Sequence, residues 1–261
     1  MYDFSFIKPG TVADAAAALA SEDAQALGGG QTLIPTMKQR LASPTKLVSL
    51  GGIADMKGVS HSGGTLTIGG ATTHANVAAQ AGDFAGLAIL AGGIGDPAVR
   101  NRGTIGGSLA NNDPAACYPS AALATGATIV TNTREIAADD FFQGLFETAL
   151  DEGEIITAVH MPIPEASNYQ KFEQPASRFA LVGVFVAKYD SGVRVAVTGA
   201  SEGGVFRWSE AEAALGANFS PDAVSGLSVA PSDMIEDLHG SKAYRAHLVK
   251  VMTSRAVAAA G

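Results

Sequence analysis

Clusters of glycine constrain this chain more than any other feature of its sequence. The 261 residues include 31 glycines, many of them in doublets or triplets. The longest run stands in LGGGQTLIP, residues 27–35, directly after the short apolar segment AQAL. Residues without a Cβ let the backbone turn tightly or come close to another group. We therefore expect a fold with several close backbone approaches, each of them a candidate binding loop.

Short helices and strands follow one another without a regular βαβ rhythm, which favours an α+β fold. Thr11 and Asp14 indicate a capped helix start, and ATIVTN and EIITAVHMPIP are typical of strands. A turn-rich segment near 164–168 suggests a domain boundary. Beyond it, a hairpin joined through Ser191-Gly192 is predicted by the apolar runs FALVGVFVAKYD and VRVAVTGA. Helices are predicted for WSEAEAALG and for residues 241–260, the second of them capped by Ser241.

Composition excludes several classes of protein. Hydrophobic residues make up 47% of the chain, as in a packed globular protein, and a net charge of −8 without a basic stripe argues against nucleic acid as a partner. A single cysteine excludes an intrachain disulfide and a Cys-ligated iron–sulfur cluster within this chain. We see no signal peptide and no stretch of about 18 apolar residues, so we expect a cytoplasmic protein without a transmembrane segment.

The segment GGGQT is a candidate anion site. Three successive residues without a Cβ let backbone N–H groups face an anion, and the start of a helix adds positive potential. The alternative is a simple glycine-rich turn. The segment is not a P-loop, because no Gly-Lys-Ser/Thr follows it.

A second glycine segment, residues 93–98, formally matches G-x-G-x-x-A. We reject a dinucleotide fingerprint here, because the match follows an apolar, helix-like run and Pro97 would occupy the turn.

A third glycine segment, VRNRGTIGGSLANNDPAACYP, spans residues 99–119 and is dense in polar residues. Its arginines could bind phosphate, its TIGGS portion could supply hydroxyl and backbone donors, and its NND run could bind sugar hydroxyls. The alternative is a capped, turn-rich loop in which Asn112 or Asp113 satisfies the local backbone.

No common catalytic arrangement stands in the sequence. The five histidines form no metal-spaced cluster, and there is no G-x-S-x-G motif. Cys117 is the one candidate thiol nucleophile, but a cysteine beside alanines and an apolar run is more typical of an inert buried residue. Anion-competent loops without acid–base machinery indicate a protein that binds an extended, phosphate-bearing cofactor whose own chemistry does the work.

Four segments in order, GGGQTLIPTMKQR, LVSLGGIADMKGV, TLTIGGATTHANVA and VRNRGTIGGSLANNDPAACYP, resemble the FAD-binding medium subunit of molybdenum hydroxylases. The pattern is most similar to the carbon monoxide dehydrogenase type, and xanthine dehydrogenases carry the same module. The resemblance runs from about residue 3 to about residue 255. It implies a PCMH-type FAD-binding domain over residues 1–165, with lobes of about 1–55 and 56–165. A C-terminal domain over 166–261 would hold a small antiparallel sheet covered by helices.

The resemblance also implies which residues hold FAD. Two loops would bind the pyrophosphate together: Gly28, Gly29, Gly30, Gln31, Thr32, Leu33 and Ile34 in the first, and Thr104, Gly106, Gly107 and Ser108 in the second. Flavin or ribityl contacts would come from Ile94, Asn111 and Cys117, with Ile155 and Lys171 near the ring. Many relatives carry an aspartate where Cys117 stands, and a thiol is a poorer hydrogen-bond acceptor than a carboxylate.

The function implied by the resemblance is electron transfer. A large partner subunit would hold a molybdenum–pterin centre, and a small partner would hold two [2Fe-2S] clusters. Electrons would pass from these clusters through FAD on this chain to an external acceptor, in a dimer of heterotrimers. The complex would be cytoplasmic, or held at the inner face of the membrane through its partners. Two alternatives are a stand-alone FAD-dependent oxidoreductase of the same fold, acting directly on a small substrate, and a scaffold with degenerate glycine loops.

Overall fold

The computed structural model describes residues 1–82 and 84–260, and its first layer is a small parallel sheet with two helices. The elements are β1 (Ser5–Ile7), α1 (Val12–Leu19), β2 (Ala24–Leu27), α2 (Leu33–Lys38) and β3 (Lys46–Ser49). Strand β3 lies in the middle and pairs in parallel with both neighbours. The irregular pattern of the sequence did not indicate a parallel sheet here. Asp83 and Gly261, which fall within the two predicted domains, lie outside the described residues.

The second layer is a five-stranded antiparallel sheet with most of the short helices. Its elements are β4 (Val59–Ser62), β5 (Thr65–Gly69), α3 (His74–Gln80), α4 (Ala85–Gly92), α5 (Pro97–Arg100), α6 (Ile105–Asn111), α7 (Tyr118–Thr125), β6 (Thr128–Thr131), β7 (Glu135–Ala137), α8 (Ala138–Phe141), β8 (Phe142–Gly144), β9 (Glu147–Thr148) and β10 (Ile156–Pro162). The sheet order is β4-β5-β10-β6-β7, so β10 returns to its centre, while β8 and β9 form a separate hairpin.

The third layer is a four-stranded antiparallel sheet covered by helices. Its elements are β11 (Ala166–Glu173), β12 (Ala180–Tyr189), β13 (Gly192–Ser201), β14 (Gly204–Arg207), α9 (Ser209–Ala217) and α10 (Lys242–Ala260). The predicted hairpin is confirmed, with Tyr189 opposite Gly192. The predicted last helix is also confirmed, and the Tyr244 N–H donates to Ser241 Oγ at 3.3 Å. No helix among the described residues is long and apolar enough to cross a membrane.

The third sheet is buried on both faces, because alternate residues of β12 enter different cores. Val184 and Val186 pack with α9 and α10. Phe185 and Ala187 point to the other side and join the core of the second layer. There Phe185 meets Phe84 edge to face, with ring centroids 6.1 Å apart. The second and third layers therefore share a continuous packed boundary, and the mixed helix-and-sheet fold class is confirmed.

The third glycine segment, 99–119, for which the sequence left a turn-rich loop open, contains helix α6, and the short helix α5 ends at its start. Asp96 caps α5 by accepting the Val99 N–H, and Thr104 caps α6 by accepting the Gly107 N–H. Paired glycines disfavour a helix interior, which concealed α6 in the sequence. The cap and the contacts of α6 with the rest of the fold override that low propensity.

The tetrapeptide TIGG occurs twice, at residues 67–70 and 104–107, and although it is too short to be a repeat, the two copies lie side by side. The Gly106 N–H donates to the Gly70 carbonyl at 2.9 Å, and the Ile105 N–H donates to the Thr72 carbonyl at 3.1 Å. A Cβ on Gly106 would lie 2.6 Å from the Gly70 oxygen. The start of α6 is therefore pressed against the end of β5, and only glycine fits at that contact.

Candidate functional site: a glycine-lined cavity

A cavity of about 550 Å³ opens where the three layers meet. This volume falls in the range of small-molecule and cofactor sites, about 300–1,000 Å³. Most of the predicted cofactor residues line it: Gly28, Gly29, Gly30, Gln31, Thr32, Leu33, Ile94, Thr104, Gly106, Gly107, Ser108, Asn111 and Ile155. Segments far apart in the sequence thus meet around one space.

The first glycine loop presents a row of free backbone donors. It connects the end of β2 to the start of α2, and Gly30 takes the left-handed conformation with φ of 72°. Within the described chain, the N–H groups of residues 29–33 donate to no backbone or side-chain acceptor. Successive unpaired N–H groups on a turn form a concave site for an anion. The GGGQT segment therefore has the geometry expected of an anion-binding loop.

The same loop lies in direct contact with the second glycine segment. A Cβ on Gly29 would overlap the carbonyl oxygen of Arg102 and lie 2.5 Å from the Cα of Gly103. A Cβ on Gly28 would lie 2.9 Å from the Oγ1 of Thr104. Since real Cβ contacts are not this short, only glycine lets the two segments form adjoining walls of the cavity.

The second segment offers hydroxyl groups more than backbone N–H groups. Its first backbone donors are already bonded: Ile105 and Gly106 donate to carbonyls near the end of β5, and Gly107 donates to Thr104 Oγ1 at 3.2 Å. The hydroxyls of Thr104 and Ser108 donate to no acceptor among the described residues. The first loop is therefore the source of backbone donors for an anion. The second segment adds the hydroxyl donors of Thr104 and Ser108 and the exposed Gly107.

The sequence left open whether the polar run 111–113 binds sugar hydroxyls or satisfies the local backbone, and the structure shows some of each arrangement. Asn112 takes the left-handed conformation at the end of α6, and its Nδ2 donates to the Gly144 and Glu147 carbonyls at 2.8 and 2.9 Å. Asp113 accepts the Ala115 N–H in a local turn. Asn111 lines the cavity, and its amide bonds to no group in the described part of the chain. Asn112 is therefore structural, Asp113 lines the cavity while one of its oxygens holds a local turn, and Asn111 lines it with its amide available to a ligand.

Three predicted cofactor residues, Ile34, Cys117 and Lys171, do not belong to the cavity wall formed by the described residues. Ile34 packs on the loop from behind, since a Cβ on Gly30 would meet its Cγ1 at 2.9 Å. Cys117 is only 6% exposed. Burial raises the pKa of its thiol, against the nearby charge of Lys171, which lowers it. Such a thiol fits an inert residue better than a nucleophile.

Lys171 lies behind the wall because its Nζ is already bonded there. It donates to the Gly93 and Arg178 carbonyls, both at 2.7 Å. These two bonds hold the side chain away from the cavity while leaving its charge close by. The sequence pattern could not distinguish this placement from a direct contact.

His74 is a cavity residue that the sequence gave no reason to select. It begins α3, is 5% exposed, and lies against Gly103. Burial and the charge of Arg100 lower its pKa to about 4, so the imidazole is neutral near pH 7. Its Nδ1 is buried and has no hydrogen-bond partner in the described chain. Its neighbour Thr73 pairs with Thr104 across an isolated bridge, which fixes α3 against the start of α6.

Glu154 also lines the cavity, next to Ile155. Hydrogen bonds from Arg134, and then from Thr131, lower the pKa of this carboxyl to about 2. The bond from Arg134 Nη2 is 2.9 Å long and that from Thr131 Oγ1 is 2.6 Å long. The carboxylate is thus held in a fixed network, and it serves the structure of the wall. No group of three or more metal-ligating side chains occurs among the residues that the structure describes.

Comparison with known proteins places this arrangement in a family. The sequence model described as "FAD binding domain in molybdopterin dehydrogenase" matches residues 2–164, more than half of the chain. The chain therefore belongs to this family and carries its FAD-binding domain. The curated relatives it matches are medium subunits of carbon monoxide dehydrogenase and related molybdenum hydroxylases, which confirms the predicted resemblance.

Two relatives illustrate the extent of the match. The nicotine 6-hydroxylase medium subunit of Paenarthrobacter nicotinovorans is 34% identical over 98% of this chain and 96% of its own length. The carbon monoxide dehydrogenase medium chain of Hydrogenophaga pseudoflava is 31% identical over 98% of this chain and 96% of its own length. These relatives are subunits of oxidoreductases.

Solved structures agree with this assignment. The cyanide-inactivated Cu,Mo-CO dehydrogenase matches with a TM-score of 0.88 and 31% identity, covering 99% of this chain and 98% of that one. Quinoline 2-oxidoreductase from Pseudomonas putida 86 matches with a TM-score of 0.86 and 28% identity, covering 98% and 96%.

Proposed function

We propose that this chain is the FAD-carrying, electron-transferring subunit of a heteromeric molybdenum hydroxylase and that FAD binds in the glycine-lined cavity. The main support is the row of free N–H groups at residues 29–33. The loop that carries them can lie against residues 102–103 only because Gly29 has no Cβ. FAD carries an anionic pyrophosphate, which such a row of donors fits. Membership in the FAD-binding family agrees with this fit.

Each wall would hold a different part of the cofactor. Residues 29–33 of the first loop would donate N–H groups to the pyrophosphate, and Thr104 and Ser108 would add hydroxyl donors from the facing side. Gly106 and Gly107 would let the cofactor approach the start of α6 closely, because neither places a side chain in the cavity. Hydrogen bonds to a charged acceptor contribute about 1.5–3 kcal/mol each, so a few of them suffice to orient the pyrophosphate.

Three other predicted residues would act on the ribityl chain and the ring. Asn111 would hydrogen-bond ribityl hydroxyls with its free amide, and Ile94 and Ile155 would give apolar contacts. Cys117 would contribute no polar contact of the kind that an aspartate gives. When bound, FAD supplies the electron-transfer chemistry, and the protein orients it and sets its electrostatic surroundings.

The partners follow from the relatives and from the single cysteine. Iron–sulfur clusters are generally held by four cysteine ligands, which this chain lacks. We place two [2Fe-2S] clusters on a small partner subunit and a molybdenum–pterin centre on a large one, assembled as a dimer of heterotrimers. Electrons would pass from the clusters through FAD to an external acceptor in the cytoplasm. Residues 1–165 would form the FAD-binding domain and 166–261 the C-terminal domain.

The first experiment is to purify this chain alone and titrate it with FAD. We expect a flavin visible spectrum, or uptake of one FAD per chain with quenching of flavin fluorescence. A chain that is folded by circular dichroism and takes up no FAD contradicts the proposal.

A second experiment tests the assembly. Tagged protein expressed with its native neighbours should co-purify with two further chain types, molybdenum and iron. If instead the chain purifies without partners and a small substrate alone bleaches its flavin, it is a stand-alone oxidoreductase.

A further inference from the structure

The wall of the cavity carries no fixed positive charge, although an anion is expected there. None of the described residues that line it is a lysine or an arginine, and two of them, Asp113 and Glu154, are carboxylates. The free N–H groups and the hydroxyls of the wall are neutral donors. The imidazole of His74 is the one side chain among these lining residues that can become a cation near neutral pH.

His74 lies against the junction of the two glycine segments. A Cβ on Gly103 would overlap the Nε2 of His74, and a Cβ on Gly29 would lie 2.5 Å from the Gly103 Cα. One glycine residue therefore separates the imidazole from the start of the row of free N–H groups at residues 29–33. The backbone fixes this placement, because the His74 N–H donates to the Gly103 carbonyl at 3.0 Å.

The imidazole has no fixed role within the described chain. His74 is 5% exposed, and its Nδ1 is one of four buried side-chain polar atoms without a hydrogen-bond partner there. A neutral imidazole has one N–H and one acceptor nitrogen, whereas the protonated ring donates from both nitrogens. Because buried polar groups are nearly always bonded, an unpartnered imidazole at a cavity wall indicates that a ligand completes its surroundings.

Few titratable groups surround this imidazole. Burial and then the charge of Arg100, on α5, lower the pKa of His74 to about 4. The ring of Tyr118, on α7, lies 5.3 Å away, and burial holds the pKa of its hydroxyl well above the usual range, so it stays neutral. Asp96 and Arg102 are exposed, and solvent screens their charges. The rest of α3, helices α4 and α6 and the first glycine loop contain no titratable side chain. A charge that enters the cavity therefore has a strong influence on the protonation of His74.

We propose that His74 supplies a positive charge to the anion site: its imidazole takes up one proton from solvent when the pyrophosphate of FAD binds at the first glycine loop. This inference rests on the proposed binding of FAD in the cavity. The negative charge of the pyrophosphate opposes the effect of Arg100 and stabilises the imidazolium, so the pKa of His74 rises above its value of about 4 in the free protein. The imidazolium in turn strengthens the binding of the anion.

The sign of the pH dependence follows from this linkage. Because the complex holds the proton more tightly than the free protein, the gain in FAD affinity is complete below the free pKa of about 4. The gain is lost as the pH rises through the higher pKa of the complex. A nearby opposite charge shifts a pKa by about 1–3, and the lower part of that range gives a roughly two- to tenfold gain in affinity at about pH 5 over about pH 7.5.

The test measures FAD affinity by fluorescence quenching of the apoprotein between about pH 5 and about pH 7.5. The diester pyrophosphate of FAD keeps its charge over this range, so the protein is the source of the change. We expect His74→Asn to bind FAD with an affinity that no longer rises as the pH falls. His61→Asn is the matched control, because His61 is exposed on β4 and does not line the cavity. That variant should keep the pH dependence of the wild type. A His74→Asn protein with the wild-type pH dependence would overturn the inference.

A measurement on the unaltered protein covers the case in which His74→Asn does not fold. Calorimetric titration with FAD in two buffers of different ionisation enthalpy gives the number of protons taken up. We expect a fraction of a proton per FAD at about pH 5.5 and almost none at about pH 7.5. FAD binding without proton uptake at about pH 5.5 would refute the role of His74 and leave the proposed function intact. If the wild type takes up no FAD at either pH, the proposed function itself fails.

Discussion

A substitution at Gly107 should weaken cofactor binding while leaving the fold nearly unchanged. Gly107 occupies the third position of α6, is exposed, and lines the cavity. A Cβ added there meets one atom within 4 Å, the Oγ1 of Thr104 at 3.0 Å. We expect Gly107→Ala to fold normally and to lose most of its affinity for FAD.

The expected effect on stability is small. Alanine is favoured over glycine in a helix by about 0.5–1 kcal/mol, and a shift of the Thr104 hydroxyl by a few tenths of an ångström offsets part of that gain. The free energy of unfolding should therefore change by less than about 1 kcal/mol. For a chain of this size that corresponds to a shift of roughly 2–4 °C or less in Tm.

The expected effect on FAD binding is large. Gly107 lies close to Gly28, since a Cβ added to Gly28 would be 3.7 Å from the Gly107 Cα. The methyl group of Gly107→Ala would therefore lie beside the first glycine loop, where the pyrophosphate is expected. Displacing the pyrophosphate enough to lose one charge-assisted hydrogen bond costs about 1.5–3 kcal/mol. The Kd for FAD should then rise roughly 10- to 150-fold.

The assay is an FAD titration of the apoprotein, together with thermal unfolding of the same sample. The neighbouring substitution Gly106→Ala is the matched control, because its Cβ would lie 2.6 Å from the backbone oxygen of Gly70. That variant should lose about 1–3 kcal/mol of stability through overpacking. A Gly107→Ala protein that is folded and binds FAD as tightly as the wild type would show that the cofactor does not approach the start of α6.

Three further predictions concern the walls of the cavity. Asn112→Ala removes two hydrogen bonds to the 144–147 hairpin and should lower stability by about 1–3 kcal/mol, whereas Asn112→Gly, which suits the φ of 39°, should lose less; equal losses in denaturant unfolding would contradict this. Glu154→Gln should lower the free energy of unfolding by roughly 1–3 kcal/mol at pH 7, because the hydrogen bonds from Arg134 lower the pKa of Glu154 in the folded protein from 4.5 to about 2. This difference from the wild type should vanish as the pH falls from about 5 to about 2, and a difference that stays constant with pH would refute the assignment. Gly29→Ala should lower both Tm and FAD affinity, since its Cβ overlaps backbone, and an unchanged Tm would show that the two glycine segments do not touch.

Local signals in the sequence were sufficient for many elements. Thr11 begins α1 as expected, with its Oγ1 accepting the Asp14 N–H at 3.1 Å, because a helix cap depends on residues only three positions apart. The β12–β13 hairpin was also predictable, since its two apolar runs are joined by a short turn. The glycine segments pointed to close backbone approaches for the same local reason, the absence of a Cβ.

Contacts between distant residues decided the rest. The sequence could not show that Gly29 lies on Arg102, that α6 forms across two glycines, or that Asn112 rather than Asn111 is used by the fold. Nor could it place Lys171 behind the wall. Propensity and spacing act over a few residues, whereas the partner of a buried donor is chosen by the packing of the whole chain. The sequence therefore determined which segments could bind, and the tertiary structure decided which of their atoms remain free to do so.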